Sequence, residues 1–359
     1  MKLSVILLCL LCNFAILAQN EYSFFVAGHT YGSPGVNNVG LHPPFKAKFD
    51  YINSRPKIKF GVLTGDIVSP NPTAQDWDEV DGDINAIGLP VYFAVGNHDM
   101  ENRPLFESRY GDTYYHFLFQ DDLFIVLDPN LDGWSILGEQ LLYLQNTVKD
   151  NAPIVENIYL FFHQVLWKDG NDQYNYIVPN SSDGRIRPVN FWTEVEPLFS
   201  CLSNDVFMFA GDLGAGSWGT DVMYDSYKNI RLIGSGMGGP EGDNFIVVNV
   251  ANDKAVTYNI ICLTENVNCL GELTDYQISE PNRTIHVCPN PVEDHLIIQL
   301  NSSIQTNIEL FNLSSQLLIH KESEGQNQCV LDVSTLPKGF YVLRLSNESG
   351  VFSTKIIIQ

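Results

Sequence analysis

Short apolar runs in this 359-residue chain repeatedly end in turns that pair glycine with histidine, aspartate or asparagine. Side chains of these types on strand-end loops can bind divalent cations, which polarise a phosphoryl oxygen and lower the pKa of a water into a nucleophilic range. Glycine beside each ligand lets the backbone turn sharply and approach closely. The turns that carry these residues are 28–32, 65–66, 96–99, 163–164 and 211–214. Their pattern predicts a metal site assembled from several loops.

Asp66, Asn97, His98 and His163 each follow an apolar run directly or within two residues. Taken alone, Asp66 could instead be the N-cap of a following helix, and His163 a hydrogen-bonded histidine at a strand end. We favour the metal-site interpretation because all four residues occur together in the order that such a site requires.

The elements that would position these turns alternate between buried strands and helices. Strands are predicted at 22–28, 57–65, 90–96, 123–128, 158–163 and 206–211 because each run is short, rich in Phe, Val, Ile and Tyr, and bounded by Gly, Asp or His. Helices are predicted over Phe45–Ser54, Thr73–Ile87 and Gly138–Lys149. This alternation indicates a layered α/β domain, in which ligands gather at the carboxyl ends of the strands.

Composition excludes several classes of protein. Hydrophobic residues make up 45% of the chain, enough for a packed core, and the net charge of −22 argues against nucleic-acid or anionic-lipid binding. Residues Met1–Ala18 are typical of a secretory signal peptide. A lipoprotein signal at Cys12 is the alternative, although the preceding Leu11 is large for that motif.

Export permits disulfides, and five cysteines follow the predicted signal. We expect Cys262 to pair with Cys269 and Cys288 with Cys329, which leaves Cys201 as a buried thiol.

Beyond Ile261 the sequence changes character. Residues 262–285 are polar and are predicted to form a linker, and from His286 onward six short alternating strands follow without a helical pattern. This predicts a small all-β, immunoglobulin-like sandwich of 74 residues over 286–359.

The Gly65-Asp66 pair, the Gly96-Asn97-His98-Asp99 run and the strand ending at His163 resemble the calcineurin-like metallophosphoesterases. The resemblance covers about 22–258. It implies a layered β-sandwich flanked by helices, hydrolysis of a phosphate ester, and one or two divalent ions (Mn, Mg, Ca, Fe or Zn). It also implies that His98 donates to the leaving group and that Asp99 orients His98.

The chain departs from the family pattern at both ends of the motif set. His29 and Tyr31 stand where the family has Asp and His, and Asp212 and Gly214 replace its two closing histidines. One ligand set, Asp66, Asn97, His163 and Asp212, is therefore complete. The other set, His29, Tyr31, Asp66 and Gly214, is weakened. His29 and Tyr31 either bind metal, act as acid/base groups or fill the altered pocket, and Asp212 is either a ligand or a turn former.

Residues 286–359 resemble the type A sorting domain of the type IX secretion system of Bacteroidetes, through Pro289-Asn290-Pro291 and Leu336–Tyr341. The resemblance implies contact with the secretion machinery and a secreted or cell-surface location. A carbohydrate-binding sandwich is the alternative. The predicted organisation is thus a signal peptide over 1–18, a phosphoesterase domain over 19–261, a linker over 262–285 and a sorting domain over 286–359.

Three hypotheses for function follow. The first is a secreted, monomeric metallophosphoesterase-type hydrolase with an atypical metal site, acting on a small-molecule or glycan phosphate ester, either a monoester or a diester. The second is a polysaccharide-active enzyme, such as a lyase, that uses His29, Tyr31 and His98 as acid/base groups. The third is a catalytically inactive binding protein, which the retained Asp66, Asn97, His98 and His163 argue against.

Overall fold

The structure, a computed structural model, describes residues 21–33, 40–216, 219–239, 242–264, 286–300, 305–323, 328–347 and 350–359. The predicted signal peptide and Cys269 lie outside these residues. Among the helices so described, none is long and apolar enough to cross a membrane.

Two mixed sheets form the centre of the large domain. Their strands are β1 (Tyr22–Ala27), β2 (Ile58–Thr64), β3 (Val91–Ala94), β4 (Tyr115–Phe119), β5 (Asp122–Val126), β6 (Asn157–Phe162), β7 (Asp205–Ala210), β8 (Val222–Tyr227), β9 (Ile230–Ser235), β10 (Asn244–Val250) and β11 (Val256–Cys262). The first sheet has the order β11-β10-β1-β2-β3, and the second has the order β4-β5-β6-β7-β9-β8. Strands β1–β3 are parallel to one another, as are β5, β6, β7 and β9.

An aromatic core joins the two sheets. Alternate residues of β1 point to opposite faces, so that Phe24 joins the core between the sheets and Phe25 the core beneath the helices. The Phe24 ring lies 5.2 Å from the Phe60 ring, 5.4 Å from that of Phe124 and 5.1 Å from that of Tyr159, measured between centroids. These contacts connect β1 and β2 of one sheet with β5 and β6 of the other.

Helices cover the outer faces, which confirms the predicted layered β-sandwich flanked by helices. They are α1 (Pro43–Lys46), α2 (Phe49–Asn53), α3 (Ala74–Ile87), α4 (Arg103–Tyr110) and α5 (Gly138–Asn151). Thr73 caps α3 through a capping box with Asp76. The helix predicted over Phe45–Ser54 is broken into α1 and α2, and α4 was not predicted because it is short and buries only Phe106.

The C-terminal domain is the expected small β-sandwich. Its strands are β12 (His286–Cys288), β13 (His295–Gln299), β14 (Asn307–Asn312), β15 (Leu317–Glu322), β16 (Gln328–Asp332), β17 (Gly339–Asn347) and β18 (Gly350–Ile358). They form a β12-β13-β16 sheet and a β15-β14-β17-β18 sheet around one apolar core.

The predicted disulfide pairing was wrong at two positions. Cys288 is bonded to Cys201 rather than to Cys329, and Cys329 is a buried free thiol. Strand β13 lies between the strands that carry Cys288 and Cys329, which places these strands about 10 Å apart. That spacing exceeds the Cα separation of about 4.4–6.8 Å that a disulfide spans. Cys262 is disulfide-bonded, and its predicted partner Cys269 lies outside the described residues.

Replacing Phe24 tests the aromatic core. We expect Phe24→Ala to lower the free energy of unfolding of the large domain by about 3–5 kcal/mol, because it leaves a cavity among the surrounding aromatic rings. All five tryptophans lie before residue 219, so their fluorescence in a denaturant titration reports this domain. The control is Leu142→Ala on α5, where the side chain is 58% exposed. An equal loss in both variants would contradict a core centred on Phe24.

Candidate metal centre

The site lies where the carboxyl ends of β1, β2, β3, β6 and β7 meet. The loops after these strands are bound to one another through the backbone: the His29 N–H donates to the Gly65 carbonyl, and the Gly211 N–H donates to the His163 carbonyl. Two glycines permit this close approach. A Cβ on Gly65 (φ +82°) would lie 2.5 Å from the His163 ring, and one on Gly211 would overlap the Thr64 carbonyl.

Asp66 is the centre of the site. Its side chain is buried, and its Oδ2 atom lies 3.6 Å from Nε2 of His29, 3.6 Å from Nε2 of His98 and 3.4 Å from Nε2 of His163. Burial opposes ionisation, but His163, His29 and His98 outweigh it and hold the pKa of Asp66 below its usual value. The backbone of Asp66 has φ +47°, a left-handed conformation that non-glycine residues adopt mainly where surrounding structure enforces it.

The three histidines share one hydrogen-bonding arrangement. In each, Nδ1 meets an acceptor: the Met237 carbonyl for His29, the Thr64 carbonyl for His163 and Glu101 for His98. Because carbonyls and carboxylates only accept, Nδ1 must carry the hydrogen. In the neutral ring, Nε2 then directs a lone pair at the Asp66 carboxylate. Such an arrangement needs a proton or a cation between the groups, and metal-binding histidines regularly donate their other N–H in this way.

Asp212 stands beside His163. Its carboxylate is fully buried, makes no hydrogen bond of ordinary geometry, and lies 3.7 Å from Nε2 of His163 through Oδ1. Burial raises the pKa of Asp212 to about 8, with Asp66 adding to the rise and His163 opposing it. For His163, burial lowers the pKa, but the carboxylates of Asp66 and Asp212 outweigh it and raise the value to about 10.

His29 and Tyr31 occupy the loop after β1. His29 is buried, and burial lowers its pKa to about 4 despite the nearby Asp66 carboxylate. The Tyr31 ring packs 4.5 Å from the His29 ring and meets the His98 ring edge-on at 5.6 Å. Burial, together with Asp66 and Asp212, raises the pKa of Tyr31, so that its phenol stays protonated.

Asp99 does not orient His98 as expected. Its Oδ1 accepts hydrogen bonds from the backbone N–H groups of Ile67 and Val68, and its Oδ2 accepts one from Gly96. Asp99 therefore holds the loop after β2 against the loop after β3. Glu101, which was not predicted as a site residue, contacts His98 Nδ1 at 3.2 Å. The only sequence signal for this contact is its position three residues after His98.

The remaining candidate positions differ in what they can contribute. Asn97 is half-buried in the same turn, between Gly96 and His98, whose backbone N–H donates to Asp66 Oδ1. Gly214 contributes no side chain, and a Cβ there would lie 2.8 Å from the Gly236 backbone. This ligand position is therefore closed by backbone packing.

The donor types of these residues and two of the separations between them suit a divalent cation. Two ligands at about 2.1 Å from one tetrahedral ion are about 3.4 Å apart, close to the separations of His163 from Asp66 and Asp212. Within the described ranges, no group of three or more His, Cys, Asp or Glu side chains is arranged to hold a metal ion. The fit therefore rests on the inward-facing Nε2 atoms and on the buried Asp212 carboxylate beside His163.

Comparison with known proteins agrees with this geometry. Residues 28–194 match the family described as calcineurin-like phosphoesterase. We refer to the larger domain, which carries this match, as the phosphoesterase domain. The match includes Asp66, Asn97, His98 and His163 and ends before Asp212, where the chain departs from the family pattern. Residues 286–359 match the secretion system C-terminal sorting domain, which indicates export to the cell surface or beyond.

One solved structure supports the fold of the phosphoesterase domain. The chain is similar to purple acid phosphatase PPD1 from yellow lupin (Lupinus luteus) seeds, with a TM-score of 0.51, 13% identity, and coverage of 70% of this chain and 53% of that one. It thus spans about half the length of the lupin protein. TT1561 of Thermus thermophilus has a TM-score of 0.37 and 10% identity, over 67% and 98% of the two chains. No curated protein matches in sequence.

Asp99→Asn tests the loop-bridging contacts. The amide keeps one acceptor oxygen and turns an N–H₂ toward a backbone donor, so we expect a loss of about 1–3 kcal/mol in the free energy of unfolding. Glu101→Gln, whose side chain is 38% exposed, should change it by less than about 0.5 kcal/mol. Tryptophan fluorescence in denaturant measures both. Equal stability of Asp99→Asn and the wild type would contradict the assigned role.

The burial of Asp212 predicts that conformational stability depends on pH in protein stripped of metal by a chelator. Its folded pKa of about 8 exceeds its ordinary value of 3.8, so its contribution to stability is present below pH 3.8 and is lost as the pH rises through 8. We expect the denaturation midpoint to fall between about pH 5 and about pH 9, and to fall less in Asp212→Asn. An identical fall in both proteins would contradict an ionisable, buried Asp212.

Proposed function

We propose that the phosphoesterase domain is a metal-dependent hydrolase of an extracellular phosphate ester. The observation that carries the proposal is the set of Nε2 atoms of His29, His98 and His163 that face one Asp66 oxygen, with the buried Asp212 carboxylate alongside. Ring nitrogens and carboxylate oxygens that are buried together in this way require a positive charge among them. The family match supports hydrolysis of a phosphate ester as the reaction at this site.

Asp66, His163, Asp212 and Asn97 form the main ligand set in this proposal, and His29 is a further ligand on the other side of Asp66. Two carboxylates and an amide oxygen favour a hard cation such as Mn²⁺, Mg²⁺ or Ca²⁺ over a softer one. Because Gly214 is closed by backbone packing, the second ion position of the family lacks a ligand there. We therefore propose one tightly bound ion, with any second ion bound more weakly through His29.

His98 is the proposed proton donor to the leaving group. Its side chain is 19% exposed, whereas those of His29 and His163 are buried, so it can reach a substrate at the opening of the site. Glu101 accepts from His98 Nδ1 and also from the Asn71 N–H, which fixes the ring with Nε2 toward the site. A divalent cation bound at Asp66 supplies Lewis acidity toward a phosphoryl oxygen.

The polysaccharide-lyase alternative has less support from the geometry. A lyase of that type needs a base to remove a carbon-bound proton. Tyr31 stays protonated because its pKa is raised, and its ring is packed between His29 and His98. We assign Tyr31 a positioning role: its ring holds the two histidines in place.

The sorting domain supports an extracellular substrate and contact with the type IX secretion machinery. We propose a small-molecule or glycan phosphate ester and a monomeric protein. The net charge of −22 would repel a polyanion, whereas a bound cation reverses the field locally around Asp66 and Asp212.

Asp66→Asn tests the metal-dependent reaction. We expect it to lower phosphatase activity on p-nitrophenyl phosphate and bis-p-nitrophenyl phosphate at least about 100-fold, and to lower the bound metal measured by elemental analysis. Chelation should abolish wild-type activity, and Mn²⁺ should restore it. The matched control is Asp205→Asn, at the other end of β7 from Asp212, which should retain both activity and metal. Full activity in chelator, or in Asp66→Asn, would overturn the proposal.

A further inference from the structure

A disulfide crosses the boundary between the two domains. It joins Cys201, in the turn before β7 of the phosphoesterase domain, to Cys288, the last residue of β12 in the sorting domain. The two cysteines are 87 residues apart in sequence, and the predicted linker over 262–285 lies between them.

The register of the β12-β13-β16 sheet places its two cysteines on opposite faces. Cys288 pairs with Ile297 and Cys329 pairs with Ile298, so the two cysteines point to opposite faces. Cys329 lies in the core of the sandwich with Ile298. Cys288 therefore lies on the outer face, yet it is only 3% exposed. The bond to Cys201 thus holds this outer face against the phosphoesterase domain, out of reach of the Cys329 thiol.

The turn that carries Cys201 is firmly anchored. The Asn229 side chain donates to the carbonyls of Phe199 and Asn204, on either side of Cys201. The Asn204 side chain in turn donates to the Val155 carbonyl at 2.7 Å, ahead of β6. Cys201 is therefore held by the same elements that form the central sheet.

The attachment point is remote from the metal centre. Cys201 precedes the first residue of β7, whereas Asp212 follows its last residue. A six-residue strand is about 20 Å long, so the sorting domain is fixed at the edge of the sheet opposite the catalytic loops.

We infer that the Cys201–Cys288 disulfide is a covalent clamp that keeps the sorting domain attached to the phosphoesterase domain even after the linker is cut. In its formation the two thiols lose two protons and two electrons to a disulfide-bearing oxidant, which becomes a dithiol. Release of the phosphoesterase domain then needs two chemically distinct events: hydrolysis of a linker peptide bond and reduction of this disulfide.

The test is limited trypsin digestion of the full chain, since Arg283 is the only Lys or Arg between residues 264 and 285. On gels without reductant the cut wild type should run as one species, and with reductant as two fragments. Cys201→Ser and Cys288→Ser should separate without reductant, whereas the control Cys329→Ser should behave as the wild type. Mass spectrometry of the unreduced digest should show the Cys201 and Cys288 peptides joined.

Separation of the wild-type fragments without reductant, or alkylation of Cys201 and Cys288 in the untreated protein, would overturn the inference. Phosphatase activity provides an independent readout, because the clamp is remote from Asp66. Cys201→Ser should retain wild-type activity, and a clamp confirmed in a protein without phosphatase activity would overturn the proposed function alone.

Discussion

The convergence of three histidine Nε2 atoms on one oxygen of Asp66 is the interaction on which the phosphoesterase domain depends. The three rings come from loops after β1, β3 and β6, so both sheets contribute to one centre. Each ring is fixed from behind through Nδ1. Neutral rings would repel the carboxylate that they surround, and a proton or a divalent cation resolves that conflict. The need for positive charge at this point explains why so many polar groups are buried together.

Burial of so many polar groups constrains everything around them. The loops must approach one another closely enough that glycine is required at Gly65 and Gly211. Asp99 accepts hydrogen bonds from backbone N–H groups of the loops after β2 and β3, so its carboxylate has a structural role. The aromatic core around Phe24 packs the two sheets against each other in the relative position that brings these loops together.

The same two-sheet scaffold also explains where the sorting domain is attached. Parallel strands place all the loops after them at one edge, and the proposed metal-binding residues occupy that edge. Cys201 lies at the opposite edge, in a turn anchored by Asn204 and Asn229. The directionality of the strands thus separates the catalytic site from the attachment of the domain that directs export.

The sequence by itself determined six strands of the larger domain and the helices α3 and α5, because these depend on local apolar patterns. From motifs with fixed spacing it also predicted Asp66, Asn97, His98 and His163 as site residues. It also determined the sorting domain, whose strands alternate clearly. Only the tertiary structure decided the roles of Asp99 and Glu101, the closure of the Gly214 position and the Cys201–Cys288 pairing. Each of these depends on distances between residues far apart in the chain, and local sequence patterns carry no information about such distances.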